Sequence, residues 1–432
     1  MKIAKLASLL VLAGCLFFPA FAEDLRPVDD PRQIGFAADR LERVTRTFQG
    51  YVDAGQLPGA VVLIARNDKL AYLRAFGYQD REKQLAMQPD SIFRIASMTK
   101  PVVSVAAMTL VEEAKLDLWA PVSQYLPEFK DVQVGVEHRD PGTGESVLAM
   151  EPPKRPMMVQ DLLRHTAGLV YPQFGDSLVH QAYRAADVQD RNQTLEEMVA
   201  KLARLPLAHQ PGEVWEYSMA ADVLGRIIEV VSGMPLDQFV EERITKPLGM
   251  ASSGFYVPDA QLGRLAQPQI DPATGELPPL PDVTKKPRWL SGGSGMVSTA
   301  GDYLRFCEML LHGGSWEEAR LLAPTTVRLM TSDALPPGVR YTERSQTLIS
   351  DISPMPAMGQ GFGLGFAVRT AEGHNPLPGS VGTFYWTGAW GTTFWVDPKE
   401  NLIAIMMIQV PLSNAPPYRR AIRYLTYQAL LD

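Results

Sequence analysis

Cysteine is nearly absent: Cys15 and Cys307 are the only two in 432 residues. An internal disulfide framework is therefore excluded for any chain that has lost its N-terminal stretch, and stability must come from packing. Lysine- or arginine-rich runs are also missing, and the formal net charge is −7. Nothing here offers nucleic acid the basic patch it needs. There is no internal repeat of fixed period and no low-complexity tract beyond a short Pro-rich loop. After the N-terminus no apolar run approaches the roughly 20 residues needed to span a bilayer, so the mature chain is expected to be soluble. No His/Cys cluster has zinc spacing, and neither a metal nor another cofactor is implied.

What is present suits a folded enzyme. The chain is 46% hydrophobic and 21% charged, enough to bury a large core in one domain or two intimate lobes. Residues 1–22 read as a signal peptide: "MKIAK" is a positive n-region, "LASLLVLAGCLFF" an apolar h-region, and "PAFA" a cleavage site ending at Ala22. Cleavage there would take the net charge from −7 to −9 and leave a periplasmic or secreted chain with Cys307 alone. The alternative is a lipoprotein anchored through Cys15, because "LAGC" resembles a lipobox, although the following "LFFP" suits the middle of an h-region better. Cys307, in "DYLRFCEMLL", has the helical spacing of a buried thiol.

Period and turn chemistry set out the organisation. Phe36, Leu41, Val44 and Phe48 recur at helical intervals over residues 31–50. "GAVVLIARNDKLAYLRAFGY" reads as a hairpin turning at Asn67-Asp68. Residues 98–113 read as a buried helix, 131–157 as an excursion around "DPGTGE", and 158–164, 194–204, 219–232 and 236–245 as further helices. A Pro-rich stretch at 267–287 breaks the pattern, a helix runs from about Thr299 to Leu311, and the C-terminal third alternates short strands with turns before a last helix. The simplest assembly joins the front hairpin to the rear strands in one antiparallel sheet. On this reading an α/β (α+β type) lobe comprises about 31–98 and 288–432, a helical lobe about 99–287 is inserted into it, and a ligand cleft lies between them.

The chemistry-bearing stretch is "FRIASMTKPVV", residues 93–103. A serine hydroxyl needs a base. A lipase-type triad is disfavoured, since no serine has glycine at both −2 and +2; "SGGSGM" around Ser294 fails at Met296. Lysine can serve instead. Lys100 is three residues after Ser97, hence on the same helical face, and burial would lower its pKa toward neutrality. A helix start also points backbone N–H groups at developing negative charge.

These residues, with "LLRHTAGL" (162–169), "PGEVWEYSMAADVLGRIIEVVSG" (211–233), "PLGM" (247–250), "SGGSGMVSTAGDYLRF" (291–306) and "GFGLGFAV" (361–368) in that order, resemble the serine β-lactamase and penicillin-binding-protein superfamily. The resemblance is to its class C-like branch, closest to the family VIII carboxylesterases. It implies a β-lactamase/transpeptidase-like fold, an antiparallel sheet flanked by helices plus a helical lobe. It also implies that Ser97 is acylated, that Lys100 relays its proton, and that Tyr217 shares the base role. The backbone N–H groups of Ser97 and Ala389 would form the oxyanion hole, and "WTG" (Trp386, Thr387, Gly388) would stand where β-lactamases have K-T-G. Met219 stands where the family has the Asn of Y-x-N, and Trp386 where it has the lysine that holds a substrate carboxylate. Both changes favour neutral acyl groups. The implied function is an exported serine hydrolase acting on short-chain esters. A class C-like β-lactamase or D-amino-acid peptidase is the alternative, and a non-catalytic binder of cell wall or a partner protein is the alternative of another class. The partner would be a small-molecule ester, lactam or peptide. Trp386 is expected to face the cleft, with Tyr385 on the opposite parity. His165 is expected to fix a loop by hydrogen bonding, and Asp302 to be a cap or structural acid.

Overall fold

Asn67 and Asp68 adopt φ of 51° and 60°, the left-handed pair that a two-residue hairpin turn requires. They join strands Gly59–Arg66 and Lys69–Asp80. The hairpin zips onto the last strand of the chain, Leu402–Ile408, from Ala60 opposite Ile408 to Arg66 opposite Leu402. The resulting eight-stranded sheet runs, edge to edge, through Gln360–Phe362, Ala367–Arg369, Phe384–Thr387, Thr393–Asp397, Leu402–Ile408, Gly59–Arg66, Lys69–Asp80 and Leu85–Ala86. Its strand pairs are antiparallel. This computed structural model describes residues 26–268, 275, 280–342 and 353–431; residues 1–22, read as a signal peptide, lie outside them.

The central strands are apolar on both faces because both faces are covered. Val61, Leu63, Ile403, Ile405 and Met407 point into the larger core. Ala60, Val62, Ile64, Ala404 and Met406 point the other way, onto Leu41, Val44 and Phe48 of helix Ala38–Asp53 and Ile422 of the terminal helix Pro416–Tyr427. The first of these helices starts later than periodicity over 31–50 suggests. Asp30 caps a short 3-10 turn, Pro31–Ile34, and Gly35 at φ 78° ends it. In the larger core, helix Thr99–Glu112 is buried from Thr99 through Leu110, and Ala300–Leu311, capped by Thr299, packs beside the sheet.

Helices Val159–Leu163, Leu195–Leu202 and Ala220–Ser232 fall where the sequence places them, and Thr194 with Glu197 forms a capping box. The segment 236–245 is a short helix, Leu236–Val240, continued by a π-turn, Glu241–Thr245. The excursion is a hairpin of Val134–Arg139 and Ser146–Glu151. Of the Pro-rich stretch, residues 269–274 and 276–279 lie outside the described residues. Helices Leu178–Ala185 and Pro324–Met330 are not among those expected from the sequence.

One buried carboxylate secures the "LLRHTAGL" segment. Asp161 has no exposed side-chain surface and accepts hydrogen bonds from Arg155 (2.7 and 2.9 Å), Arg164 (2.9 Å), the Met158 N–H (2.9 Å) and Thr166 Oγ1 (3.0 Å). Burial pushes its pKa up, but Arg155, the Met158 amide and Arg164 together hold it below the usual carboxylate value. Its stabilisation is therefore present above the unfolded-state pKa and is lost as pH falls through the folded one. Asp161→Ala leaves two cations unpaired and is expected to cost about 3–5 kcal/mol, measured by denaturant unfolding.

Candidate active site

Ser97 sits in a one-turn 3-10 segment, Ala96–Met98, directly before helix Thr99–Glu112. Ala96 has φ 45°, a strained conformation for alanine that the surroundings must enforce. They do so through the "SGGSGMVSTAGDYLRF" segment. The Ile95 N–H donates to Met296 O (3.1 Å), the Met296 N–H to Thr99 Oγ1 (3.0 Å), and Tyr303 OH to Met98 O (2.9 Å).

Lys100 occupies the first turn of that helix and is 2% exposed. Its Nζ lies 3.3 Å from Ser97 Oγ, 3.0 Å from Tyr171 OH and 2.7 Å from Gly293 O. A neutral amine has two N–H donors and one lone pair. Gly293 O must accept from one N–H and Tyr171 OH can accept from the other, which leaves the lone pair for the serine proton. Burial pushes the Lys100 pKa down to about 7, against the opposing pull of Asp222. Lysine with that pKa is a competent base at neutral pH.

Asp222 and Tyr171 escaped the sequence reading. Asp222 is fully buried; its Oδ1 accepts from Ser291 Oγ (2.6 Å) and the Gly293 N–H (3.2 Å), and burial raises its pKa. It thus holds the turn whose carbonyl, that of Gly293, meets Lys100. The signal was an acid inside the apolar pattern of 219–232. Tyr171 had no comparable signal, being one aromatic beyond "HTAGL". Burial holds its phenol well above the ordinary range. Because the Asp222 charge favours protonated Lys100, Asp222→Asn is expected to move the acid limb of the rate profile to lower pH, read from kcat/KM between pH 5 and 9.

Tyr217 stands over the same amine. Lys100 Nζ lies 4.6 Å from its ring centroid, and the Tyr217 hydroxyl makes no hydrogen bond of good geometry among the described residues. Burial pushes its pKa well up, offset only in part by the nearby polar atoms of Ser97 and Trp386. Burial thus favours the neutral phenol at Tyr217, while the amine of Lys100 lies 3.3 Å from Ser97 Oγ. His165 Nδ1 lies 3.2 Å from Ser218 Oγ, its carbonyl accepts from the Glu216 N–H (3.0 Å), and its ring meets Tyr217 edge-on at 4.9 Å. Burial and Lys100 hold it neutral. It braces the loop under Tyr217.

Ser97, Tyr171 and Tyr217 open into a cleft of about 230 Å³. Thr387, Gly388, Ala389 and Trp390 form one wall; Phe174, Pro281 and Leu412 add apolar surface, and Arg191 is the one charged residue among its described lining. Trp386 and Met219, expected to touch substrate, are fully buried and are not on the cleft wall. Strand parity does put Trp386 on the cleft side of the sheet, but Tyr217 (5.5 Å) and Phe362 (5.3 Å) cover it. Met219 is buried at the start of helix Ala220–Ser232. Trp390, three residues after Thr387, is the tryptophan that reaches the cleft. Tyr385 lies on the other face, beneath Arg423.

Other candidates fall outside the cleft. Cys307 is buried, and Asp302 accepts from the Ser252 N–H (2.7 Å) and Ser253 Oγ (2.9 Å) as a structural acid. Asp68, Glu308 and His312 come together, with His312 Nε2 3.1 Å from Asp68 Oδ1, a grouping across two elements that sequence spacing did not show.

Comparison with known proteins extends the picture. The Beta-lactamase family model matches residues 44–428. The chain is 40% identical over 364 residues to an uncharacterized protein of Mycobacterium tuberculosis, covering 83% of this chain and 87% of that one. It is 31% identical over 392 residues to esterase EstB of Burkholderia gladioli, covering 86% and 91%. Among solved structures, EstCE1, a hydrolase with promiscuous acyltransferase activity, superposes with a TM-score of 0.74 at 29% identity, covering 90% of this chain and 99% of that one.

Proposed function

This chain belongs to the beta-lactamase family and is a serine hydrolase; from that premise we propose that it is an exported carboxylesterase that cleaves short-chain esters through an acyl-enzyme on Ser97. The observation that carries the mechanism is the 3.3 Å approach of a buried, readily deprotonated Lys100 to Ser97 Oγ inside the cleft.

The steps follow from that geometry. Lys100 Nζ accepts the Ser97 proton as Oγ attacks the ester carbonyl carbon, and the carbonyl oxygen becomes an oxyanion facing the N–H groups of Ser97 and Ala389. Collapse re-forms the carbonyl and breaks the bond to the alcohol oxygen, which takes its proton from the Lys100 ammonium. Water then attacks the acyl carbon, giving its proton to Lys100. Ser97 Oγ departs and recovers that proton, releasing the acid.

Substrate class rests on what lines the cleft. Phe174, Trp390 and Leu412 give it apolar surface beside the neutral polar side chains of Gln173 and Gln189, and the position of the family's carboxylate-binding lysine is a buried tryptophan, Trp386. EstB is named as an esterase. One observation favours the lactam or peptidase reading: Arg191 lines the cleft and could face a substrate carboxylate. Side-by-side turnover of p-nitrophenyl butyrate and a chromogenic cephalosporin separates the two. The ester is expected to be hydrolysed faster by at least tenfold in kcat/KM, and the reverse order overturns the substrate assignment. Failure of a fluorophosphonate to label Ser97 would favour a binding protein. Export is proposed from residues 1–22, with cleavage near Ala22; a mature mass showing lipid on Cys15 would replace it with a lipoprotein anchor.

A further inference from the structure

Ala389 belongs to a tight turn in which several backbone groups are committed. The Gly391 N–H donates to Gly388 O (3.0 Å), the Gly388 N–H to Thr392 O (2.9 Å), and the Val410 N–H to Trp390 O (2.9 Å). The Ala389 N–H has no partner among the described residues, and Ala389 lines the cleft. The turn also presses on the nucleophile segment. A Cβ at Gly388 would lie 2.3 Å from Ile95 O and 2.2 Å from Thr392 Oγ1, so only glycine fits this approach.

A buried arginine holds the same turn from behind. Arg419, on the terminal helix Pro416–Tyr427, is 8% exposed. Its Nη2 donates to Gly388 O at 2.5 Å and its Nε to Gly391 O at 3.5 Å. Gly388 O and the Ala389 N–H belong to one peptide group. That group is planar and trans, so its C=O and N–H point in opposite directions. Fixing the oxygen on the helix side therefore fixes the hydrogen on the cleft side. A charged donor on the carbonyl also polarises the group and strengthens its N–H as a donor.

We propose that Arg419 is a positioning residue of the oxyanion site: through the Gly388 carbonyl it aims and polarises the Ala389 N–H toward the substrate's developing oxyanion. This rests on the acyl-enzyme reading above. Nothing in the sequence separates Arg419 from its neighbours Arg420 and Arg423; only the fold brings one of the three to the back of the turn. Arg419 also favours the phenolate of Tyr217 electrostatically, so its charge is felt on both sides of the cleft.

The oxyanion interaction exists only in the transition state, so its loss should appear in kcat rather than KM. Arg419→Met, Arg419→Lys and Arg423→Met are compared with wild type on whichever of p-nitrophenyl butyrate or the cephalosporin wild type turns over. Where the ester is the substrate, its thiono analogue (C=S for C=O) is run in parallel. Sulfur is a poorer acceptor, so a well-aimed N–H discriminates against it. Arg419→Met should lose about 10–100-fold in kcat with KM within threefold, because the donor is misaimed rather than removed. Its preference for oxo over thiono ester should shrink, and Arg419→Lys should recover part of both. Arg423, which bonds Pro378 O (2.9 Å) and stacks on Trp395, serves as comparator: Arg423→Met should lower thermal stability without changing the oxo/thiono ratio. If Arg419→Met unfolds, Arg419→Lys carries the same readouts. A folded Arg419 variant with kcat within twofold of wild type, or with both analogues slowed equally, overturns the proposal. Wild-type turnover that survives Ser97→Ala unchanged would instead overturn the acyl-enzyme reading beneath it.

Discussion

Lys100→Met is expected to lower kcat/KM by about 10²–10⁴-fold, the usual contribution of a positioned general base. Methionine fills a similar volume but offers only a thioether near Ser97, and no other group stands ready. Tyr171 and Tyr217 are both held in their neutral phenol forms by burial, and His165 faces Ser218 rather than Ser97. The same substitution should raise thermal stability. The folded pKa of Lys100, about 7, lies below its ordinary 10.5. Folding therefore disfavours its proton, and stability rises with pH between those two values and is reduced below them. Removing the amine removes that penalty. An active site that gains stability when its base is deleted is one that holds the base in an unfavourable environment for the sake of reactivity. Steady-state kinetics and a melting curve on the same sample check both halves.

Ser97→Ala should be the more complete lesion, with kcat/KM down by about 10⁴-fold or more, since the covalent route disappears while the cleft remains. Intact mass after fluorophosphonate treatment should show one adduct on wild type and none on the variant. The backbone should be little disturbed, because the turn around Ala96–Met98 is held by Met296, Thr99 and Tyr303 rather than by the serine hydroxyl. A variant that still turns over substrate at a wild-type rate would place the nucleophile elsewhere.

Much of this site could be read from the chain because its parts obey local rules. Ser97 and Lys100 share a helical face by spacing alone, and the apolar run after them required a buried lysine. The hairpin announced itself through Asn67-Asp68, and the rear strands through short apolar segments spaced by turn residues. What escaped was set by tertiary placement. Tyr171 joins Lys100 from 71 residues away, and no local pattern marks it. Asp222 was legible in principle, as an acid within a buried helical pattern. Trp386 follows strand alternation, yet parity gives only the side of the sheet and not what lies in front; Tyr217 and Phe362 take that place. Arg419 meets the Gly388 turn from 31 residues along the chain, and its neighbours Arg420 and Arg423 look identical in sequence.

The central claim is that a neutral Lys100 activates Ser97, and the rate of Ser97 acylation as a function of pH tests it most directly. Inactivation by a fluorophosphonate, followed from pH 5 to 9, should rise along a single-proton limb with its midpoint near 7, where the Lys100 ammonium gives up its proton, and the limb should vanish in Lys100→Met. A rate that is flat across that range, or a limb that persists unchanged without the lysine, would contradict the account.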